Sequence, residues 1–333
     1  MDGRVLVVLP VSRGEAKELE DAAPGYEFVF KALVEDPAAH AVTPHFMLSA
    51  EEVAAADIII GNVSPKLAAQ APHLKWIQLG SAGADAYLRP GVLSEETRIS
   101  TSVGCYGQAV AEHCFALLLS LQKKLYLYED DQRAHIWGEE GTVSTLDGAR
   151  VLVMGAGDIG TQFAKLCCAL GAGCRAYRRH VPEVPSALYQ QVFSGTITSR
   201  EELFEALPEM DLVASFLPST ASTRRLVDAE FLAALPRGAF LVNGGRGDLI
   251  DYAALTRALE LGTLAGCGID VADPEPLPED SALWDCPNLL ITPHVAGFWH
   301  LPQTRKRVFE RARCNLERWV AGKQLVCEID RRA

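Results

Sequence analysis

The sequence has no uninterrupted apolar run near the ~20 residues that a membrane-crossing helix needs. Its start, MDGRVLVVLP, passes directly into a strand pattern, without the apolar stretch and cleavage site of a secretory leader. Nor is there a basic excess: 43 Asp and Glu stand against 31 Lys and Arg, a formal charge of −12. The domain-wide positive footprint of a nucleic-acid binder is therefore missing, and an anionic membrane finds no electrostatic hold. A small anionic substrate is not excluded, because local charge decides its binding. Nine cysteines are present, but none forms a CxxC pair, and Cys167-Cys168 falls in an apolar helical pattern. Reduced, mostly buried thiols in a reducing cytoplasm are expected, with no metal site and no disulfide framework. Repeats, low-complexity tracts and long linkers are also absent; the Pro-rich run DPEPLPEDS (273–281) is short and reads as an ordered loop.

What is present is α/β alternation. A length of 333 residues suggests about two domains. Short β-type runs occur at 4–10, 56–61 and 74–79, with helix-like segments between them, as in βαβ units with a parallel sheet. The stretch 107–137 has no Gly or Pro after Gly107 until its end and predicts two consecutive helices. A second α/β series then begins, with strands expected at 150–154, 174–178, 211–215, 239–242, 265–269 and 288–292. Helices are expected at 159–171, 199–206, 228–234, 251–262 and 303–321. Ser199 and Glu202 have capping-box spacing.

Gly155, Gly157 and Gly160 form G-x-G-x-x-G between the strand pattern RVLVM and a helix pattern. That context makes the motif a dinucleotide fingerprint: a tight turn, a close backbone approach to pyrophosphate, and close helix–strand packing. The helix start at Asp158 and Ile159 offers amides and a dipole to the anion. Eighteen positions after Gly160, CRAYRRH ends the next strand pattern, and no acidic residue occurs between Asp158 and Glu183. An NAD-preferring site places a carboxylate near there, whereas Arg178 and Arg179 suit a 2′-phosphate. NADPH is the expected cofactor, with NADH less favoured. Arg175 alternates away from Arg178 and is left out of the site.

Three loops near the end of the second series carry polar residues just past strands: Arg246 in NGGRGDLID, Asp270 and Glu275 in GIDVADPEPLP, and His294 in ITPHVAG. In open α/β sheets, ligands bind at the carboxyl ends of strands. Reduction of a 2-oxo acid needs a cation for the carboxylate and carbonyl, a proton donor and a hydride source. Arg246 suits the first role, His294 the second, and Glu275 would orient and charge the His294 ring. His113, in AEHCF, reads as a structural residue of a helix remote in sequence from these loops.

The segments LGSAGAD (79–85), QAVAEHCFALLLSL (108–121), GAGDIG, LPSTASTRRLVDAEFLAALPRGAFLVNGGRGDLID (217–251), GIDVADPEPLP and ITPHVAG resemble the D-isomer-specific 2-hydroxyacid dehydrogenase family over nearly the whole chain, in its glyoxylate/hydroxypyruvate reductase-like, NADPH-type form. The resemblance implies an NAD(P)-dependent oxidoreductase, with Arg246, Glu275 and His294 as the catalytic set. It implies that Asp270 lies near the nicotinamide amide, that Leu217, Pro218, Thr223 and Gly244 line the cofactor cleft, and that the Ala82 and Gly83 amides bind the substrate carboxylate. Tyr106 and Trp299 are candidates for the pocket wall, with Phe46, Met47 and Leu48. The implied architecture is two Rossmann-like or flavodoxin-like domains with parallel sheets and an interdomain active-site cleft. A discontinuous substrate domain (1–103 and 298–333) would flank an NAD(P)-binding domain (104–297), with hinges near 102–106 and 295–299 and a homodimer through 107–137.

Two other readings stay open at this point. Phosphite dehydrogenases share the general fold; formate dehydrogenases do too, but replace the carboxylate partner of the histidine, which Glu275 retains. A nucleotide-sensing corepressor would use the same scaffold as a binding module, although long polar tails are absent here and the arginine turn is of the NADPH type.

Overall fold

The computed structural model describes residues 2–34, 46–181, 183–297 and 301–331. The chain divides into two compact units, residues 1–106 with 298–333, and residues 107–297.

The first unit runs β1 (Gly3–Val8), α1 (Arg13–Ala22), β2 (Tyr26–Phe30), α2 (Ala50–Ala54), β3 (Ile58–Gly61), α3 (Pro65–Ala68), β4 (Trp76–Gln78) and β5 (Arg98–Ser100). Its sheet has the order β2-β1-β3-β4-β5, and every pairing is parallel. That is the flavodoxin-like order. The strands alternate between two buried faces, as a sheet covered on both sides requires. Val5, Val7, Ile58 and Ile60 join one apolar cluster, while Leu6, Val8, Ile59 and Ile77 join the other.

The second unit starts with α4 (Gly107–Lys123) and α5 (Leu125–Ala134). The break predicted inside 107–137 falls at Lys124, which adopts a left-handed φ of 56°. There follow β6 (Arg150–Met154), α6 (Asp158–Ala169), β7 (Gly173–Tyr177), α7 (Ala187–Val192), β8 (Phe193–Ile197), α8 (Arg200–Ala206), β9 (Leu212–Ser215), α9 (Ala229–Ala234), β10 (Ala239–Asn243), α10 (Tyr252–Glu260), β11 (Leu264–Ile269) and β12 (Leu289–Ile291). The chain then returns to the first unit with α11 (Pro302–Val320), whose Val308, Phe309, Ala312 and Leu316 complete the cluster around Val5 and Trp76.

The seven strands lie in the order β12-β11-β10-β9-β6-β7-β8 and are all parallel. Strand order reverses between β6 and β9, which makes their carboxyl ends the topological switch point where such sheets bind ligands. The α/β expectation is borne out. The predicted capping box is formed at the start of α8, where the Glu202 amide donates to Ser199 and the Glu202 carboxylate accepts from the Ser199 amide. Strands β2, β5 and β8 and helix α7 were not individually legible. β5 has three residues, α7 has six, and β8 is an edge strand with Ser194-Gly195 in its middle and a register shift against β7.

All nine cysteines are free, six of them buried. Among the described residues, no helix is long and apolar enough to cross a membrane, and no group of three His, Cys, Asp or Glu residues could hold a metal ion.

Candidate active site

β6 ends in Gly155, at φ 87°, a conformation that L side chains rarely adopt. A Cβ there would stand 2.7 Å from the Phe216 carbonyl carbon, so the β6 turn and the loop after β9 are in backbone contact. Gly160 packs as closely: a Cβ would meet the Gly155 oxygen at 2.5 Å. Gly157, the N-cap of α6, faces open space, with nothing within 4 Å of a Cβ. The two tight glycines press helix against strand, and the open one leaves room at the first turn of α6, where Asp158 and Ile159 lie. This arrangement fits a pyrophosphate.

Beside it is a hollow of about 330 Å³ whose lining includes Gly157, Asp158, Arg178, Ser186 and Tyr189. Arg178 follows β7 and donates to the Ala156 carbonyl at 3.3 Å, with its guanidinium 5.7 Å from the centre of the Tyr189 ring. The Tyr189 hydroxyl bonds Thr196 at 2.8 Å. Arg179 is exposed and outside this lining. Sequence reasoning missed Ser186 and Tyr189; the readable signal was Ser186 as N-cap of α7, accepting from the Tyr189 amide.

The loops after β10, β11 and β12 carry the second cluster. Asn243, fully buried at the end of β10, donates from Nδ2 to the Arg246 carbonyl at 2.9 Å and accepts from the Gly245 amide at 3.1 Å. Tyr252 joins two of these loops: its hydroxyl donates to the Gly247 carbonyl at 3.1 Å and accepts from the Asp273 amide at 2.9 Å. Burial pushes the Tyr252 phenol up to about 12. Neither Asn243 nor Tyr252 carried a distinguishing signal in the sequence.

Glu275 Oε2 lies 2.9 Å from His294 Nδ1, and Glu275 Oε1 accepts from the Ala272 amide at 3.0 Å. Partial burial would raise the Glu275 carboxyl. The His294 bond, the Ala272 amide and the nearby His294 and Arg246 charges outweigh it and hold the carboxyl below the ordinary range. Arg246, Glu275 and His294 thus share one electrostatic neighbourhood. His294 sits at φ 55°. A non-glycine residue in that region costs on the order of 1–3 kcal/mol and persists only where its surroundings impose it. They do so through Asp270, only 2% exposed, whose carboxylate accepts from the amides of Val295 at 2.9 Å and Ala296 at 3.0 Å.

The remaining cofactor candidates stand at the same carboxyl edge. Leu217 and Pro218 follow β9, and Thr223 Oγ1 donates to the Pro218 carbonyl at 2.7 Å. Gly244 follows β10, where a Cβ would lie 2.5 Å from Cys114 Sγ.

In the first unit, Ala82 and Gly83 lie in the bend after β4. Ser81 Oγ donates to the Gly83 carbonyl at 2.7 Å, and Asn62 Oδ1 accepts from the Gly80 and Ser81 amides. Tyr106 donates its hydroxyl to the Gly80 carbonyl, so it braces this loop. Phe46 and Leu48 pack on the apolar cluster of that unit, while Met47 is exposed. Trp299 lies outside the described residues.

Residues 115–296 match the family model described as D-isomer specific 2-hydroxyacid dehydrogenase, NAD binding domain. This is more than half of the chain. The chain belongs to the D-isomer specific 2-hydroxyacid dehydrogenase family. The dehydrogenase is similar to a glycerate dehydrogenase of Methylorubrum extorquens, 28% identical over 285 residues that cover 82% of this chain and 85% of that one. It is similar in structure to an NADPH-dependent glyoxylate/hydroxypyruvate reductase from Sinorhizobium meliloti solved with NADP and sulfate, with a TM-score of 0.76, 26% identity and 99% of each chain covered. A D-isomer specific 2-hydroxyacid dehydrogenase from Xanthobacter autotrophicus, solved with NADPH and MES, gives a TM-score of 0.76 at 27% identity, covering 100% of this chain and 99% of that one. The family resemblance read from the sequence is borne out, and the dehydrogenase is an NAD(P)-dependent oxidoreductase.

Proposed function

We propose that this dehydrogenase reduces a small 2-oxo acid of the glyoxylate or hydroxypyruvate class to the D-2-hydroxy acid, with NADPH preferred over NADH. The observation that carries the reading is the 2.9 Å His294–Glu275 pair beside Arg246. His294 donates from Nδ1 to Glu275, which fixes the ring and complements its charged form. Its Nε2 proton then passes to the substrate carbonyl oxygen as general acid. Arg246 holds the substrate carboxylate and polarises the carbonyl. The Ala82 and Gly83 amides are assigned to the same carboxylate, in a substrate domain built from the two ends of the chain.

Bound NADPH supplies the hydride. Gly155, Gly157 and Gly160, with the amides at Asp158 and Ile159, would hold its pyrophosphate. Arg178 and Arg179 would hold its 2′-phosphate. Leu217, Pro218, Thr223, Gly244 and Asp270 would line the nicotinamide side. The hollow under Arg178 supports this preference, as does the similarity to the NADPH-dependent reductase of Sinorhizobium meliloti.

We also infer a homodimer through 107–137: α5 buries none of its residues, and Leu125, Ile136 and Trp137 are exposed. Nine free thiols fit a reducing cytoplasm.

Steady-state rates with NADPH and NADH across glyoxylate, hydroxypyruvate, pyruvate and bulkier 2-oxo acids test the reading. Fast NADPH oxidation with the small acids is expected. A clear NADH preference overturns the cofactor assignment. Binding without turnover of any acid would make the chain a binding module instead.

A further inference from the structure

His113 is a titratable side chain that the proposed reaction does not use. It stands on α4, far in sequence from the loop of His294. The fold nevertheless brings its Nε2 to 2.9 Å from Thr292 Oγ1 and 3.6 Å from Asp270 Oδ1. The Thr292 hydroxyl has a single proton, and its 2.7 Å bond to the Asp270 carboxylate uses it. The Thr292 oxygen is thereby left to accept, and the His113 Nε2–H is the donor that faces it. Asp270 in turn accepts from the amides of Val295 and Ala296, the two residues directly after His294. On the other side of His294, its own amide donates to the Thr292 carbonyl at 3.0 Å. A chain of donors therefore runs from His113 through Thr292 and Asp270 into the left-handed peptide that carries His294.

We infer that His113 is a positioning residue: by donating from Nε2 to Thr292, it directs the hydroxyl proton onto Asp270 and so fixes the backbone posture of His294. The inference rests on the reading of His294 as the general acid. Its chemical content is directional. A group at position 113 must donate, and a group at 292 must both accept and donate. A residue that only fills space does neither.

The test compares four full-length variants. His113→Leu and Thr292→Val remove the hydroxyl relay, whereas His113→Gln and Thr292→Ser keep a donor at 113 and a hydroxyl at 292. Two readouts are taken. One is kcat and KM with a 2-oxo acid and NADPH; the other is amide hydrogen exchange over residues 292–297. His113→Leu and Thr292→Val should lower kcat by about tenfold or more, the scale expected when a catalytic group is displaced. They should leave the NADPH KM within about twofold of wild type, and they should speed exchange in 292–297 but not at the glycine turn after β6. Gln and Ser should restore both readouts.

Wild-type kcat and exchange in the Leu and Val variants would overturn the inference, as would a Gln variant as impaired as Leu. Should His113→Leu not fold, the near-isosteric Thr292→Val and Thr292→Ser pair decides alone. Should the wild-type protein reduce no 2-oxo acid, the functional reading fails by itself. The exchange measurement then still decides the anchoring: no difference between Val and Ser at 292 rejects it.

Discussion

At the scale of single residues, the site depends on charged groups held in place by carboxylates and backbone amides. His294 is aimed by Glu275 at 2.9 Å and by the Asp270 bonds to Val295 and Ala296. Replacing it with Gln should lower kcat by about 10²–10⁴-fold, the usual contribution of a positioned acid. NADPH affinity, read by fluorescence titration, should change little. A variant with normal kcat would remove His294 from the role. The two arginines after β7 separate in the structure, since Arg178 lines the hollow and Arg179 does not. A hydrogen bond to a charged group contributes about 1.5–3 kcal/mol, roughly 10–100-fold. Arg178→Ala should therefore reduce the NADPH-to-NADH ratio of kcat/KM by that factor, and Arg179→Ala by less. The reverse ranking would move the phosphate assignment to Arg179.

At the scale of elements, one pair ties the C-terminal segment to a short strand. Arg98, in β5, donates to both Glu328 oxygens, at 2.6 and 2.8 Å. That bond, with the Arg98 charge, outweighs partial burial and holds the Glu328 carboxyl below its ordinary value of 4.5. A carboxyl depressed by folding contributes stability that is fully present above its unfolded value. The contribution is lost as pH falls through the folded value. Glu328→Gln should thus lower Tm at neutral pH, with a loss on the order of 1 kcal/mol for such a partly exposed pair. The gap to wild type should close on acidification below the carboxylate range. Melts in a pH series check this, and a gap that persists in acid would assign the effect to packing. The same scale explains which elements were readable. α11 shows its apolar face at helical spacing, so 303–321 was legible, whereas β5 is too short to carry a period.

At the scale of the whole molecule, α5 and the residues after it expose several large apolar side chains. Leu125 is 55% exposed and Trp137 fully so, and a cluster of exposed apolar side chains is a feature of interaction surfaces. A second copy of the chain covers them in the proposed dimer. Light scattering should therefore give a dimer for the wild-type protein, and Leu125→Asp with Trp137→Asp should shift it toward monomer. A monomeric wild type would end that assignment.

The sequence by itself determined the α/β class, the fingerprint at Gly155, Gly157 and Gly160, and the three loops bearing Arg246, Glu275 and His294. These signals are local: a glycine pattern between a strand and a helix, and polar residues just past apolar runs, are legible within a few residues of chain. Only the tertiary structure decided which groups meet. It set Arg178 rather than Arg179 in the hollow with Ser186 and Tyr189, and it clamped the Arg246 loop with Asn243 and Tyr252. It also carried His113 from a distant helix to Thr292. The His113–Thr292 contact joins side chains 179 residues apart, and the Tyr252–Asp273 contact joins two separate loops. The order of strands and the packing of α4 against β10 and β11 fix them, and no local pattern encodes either.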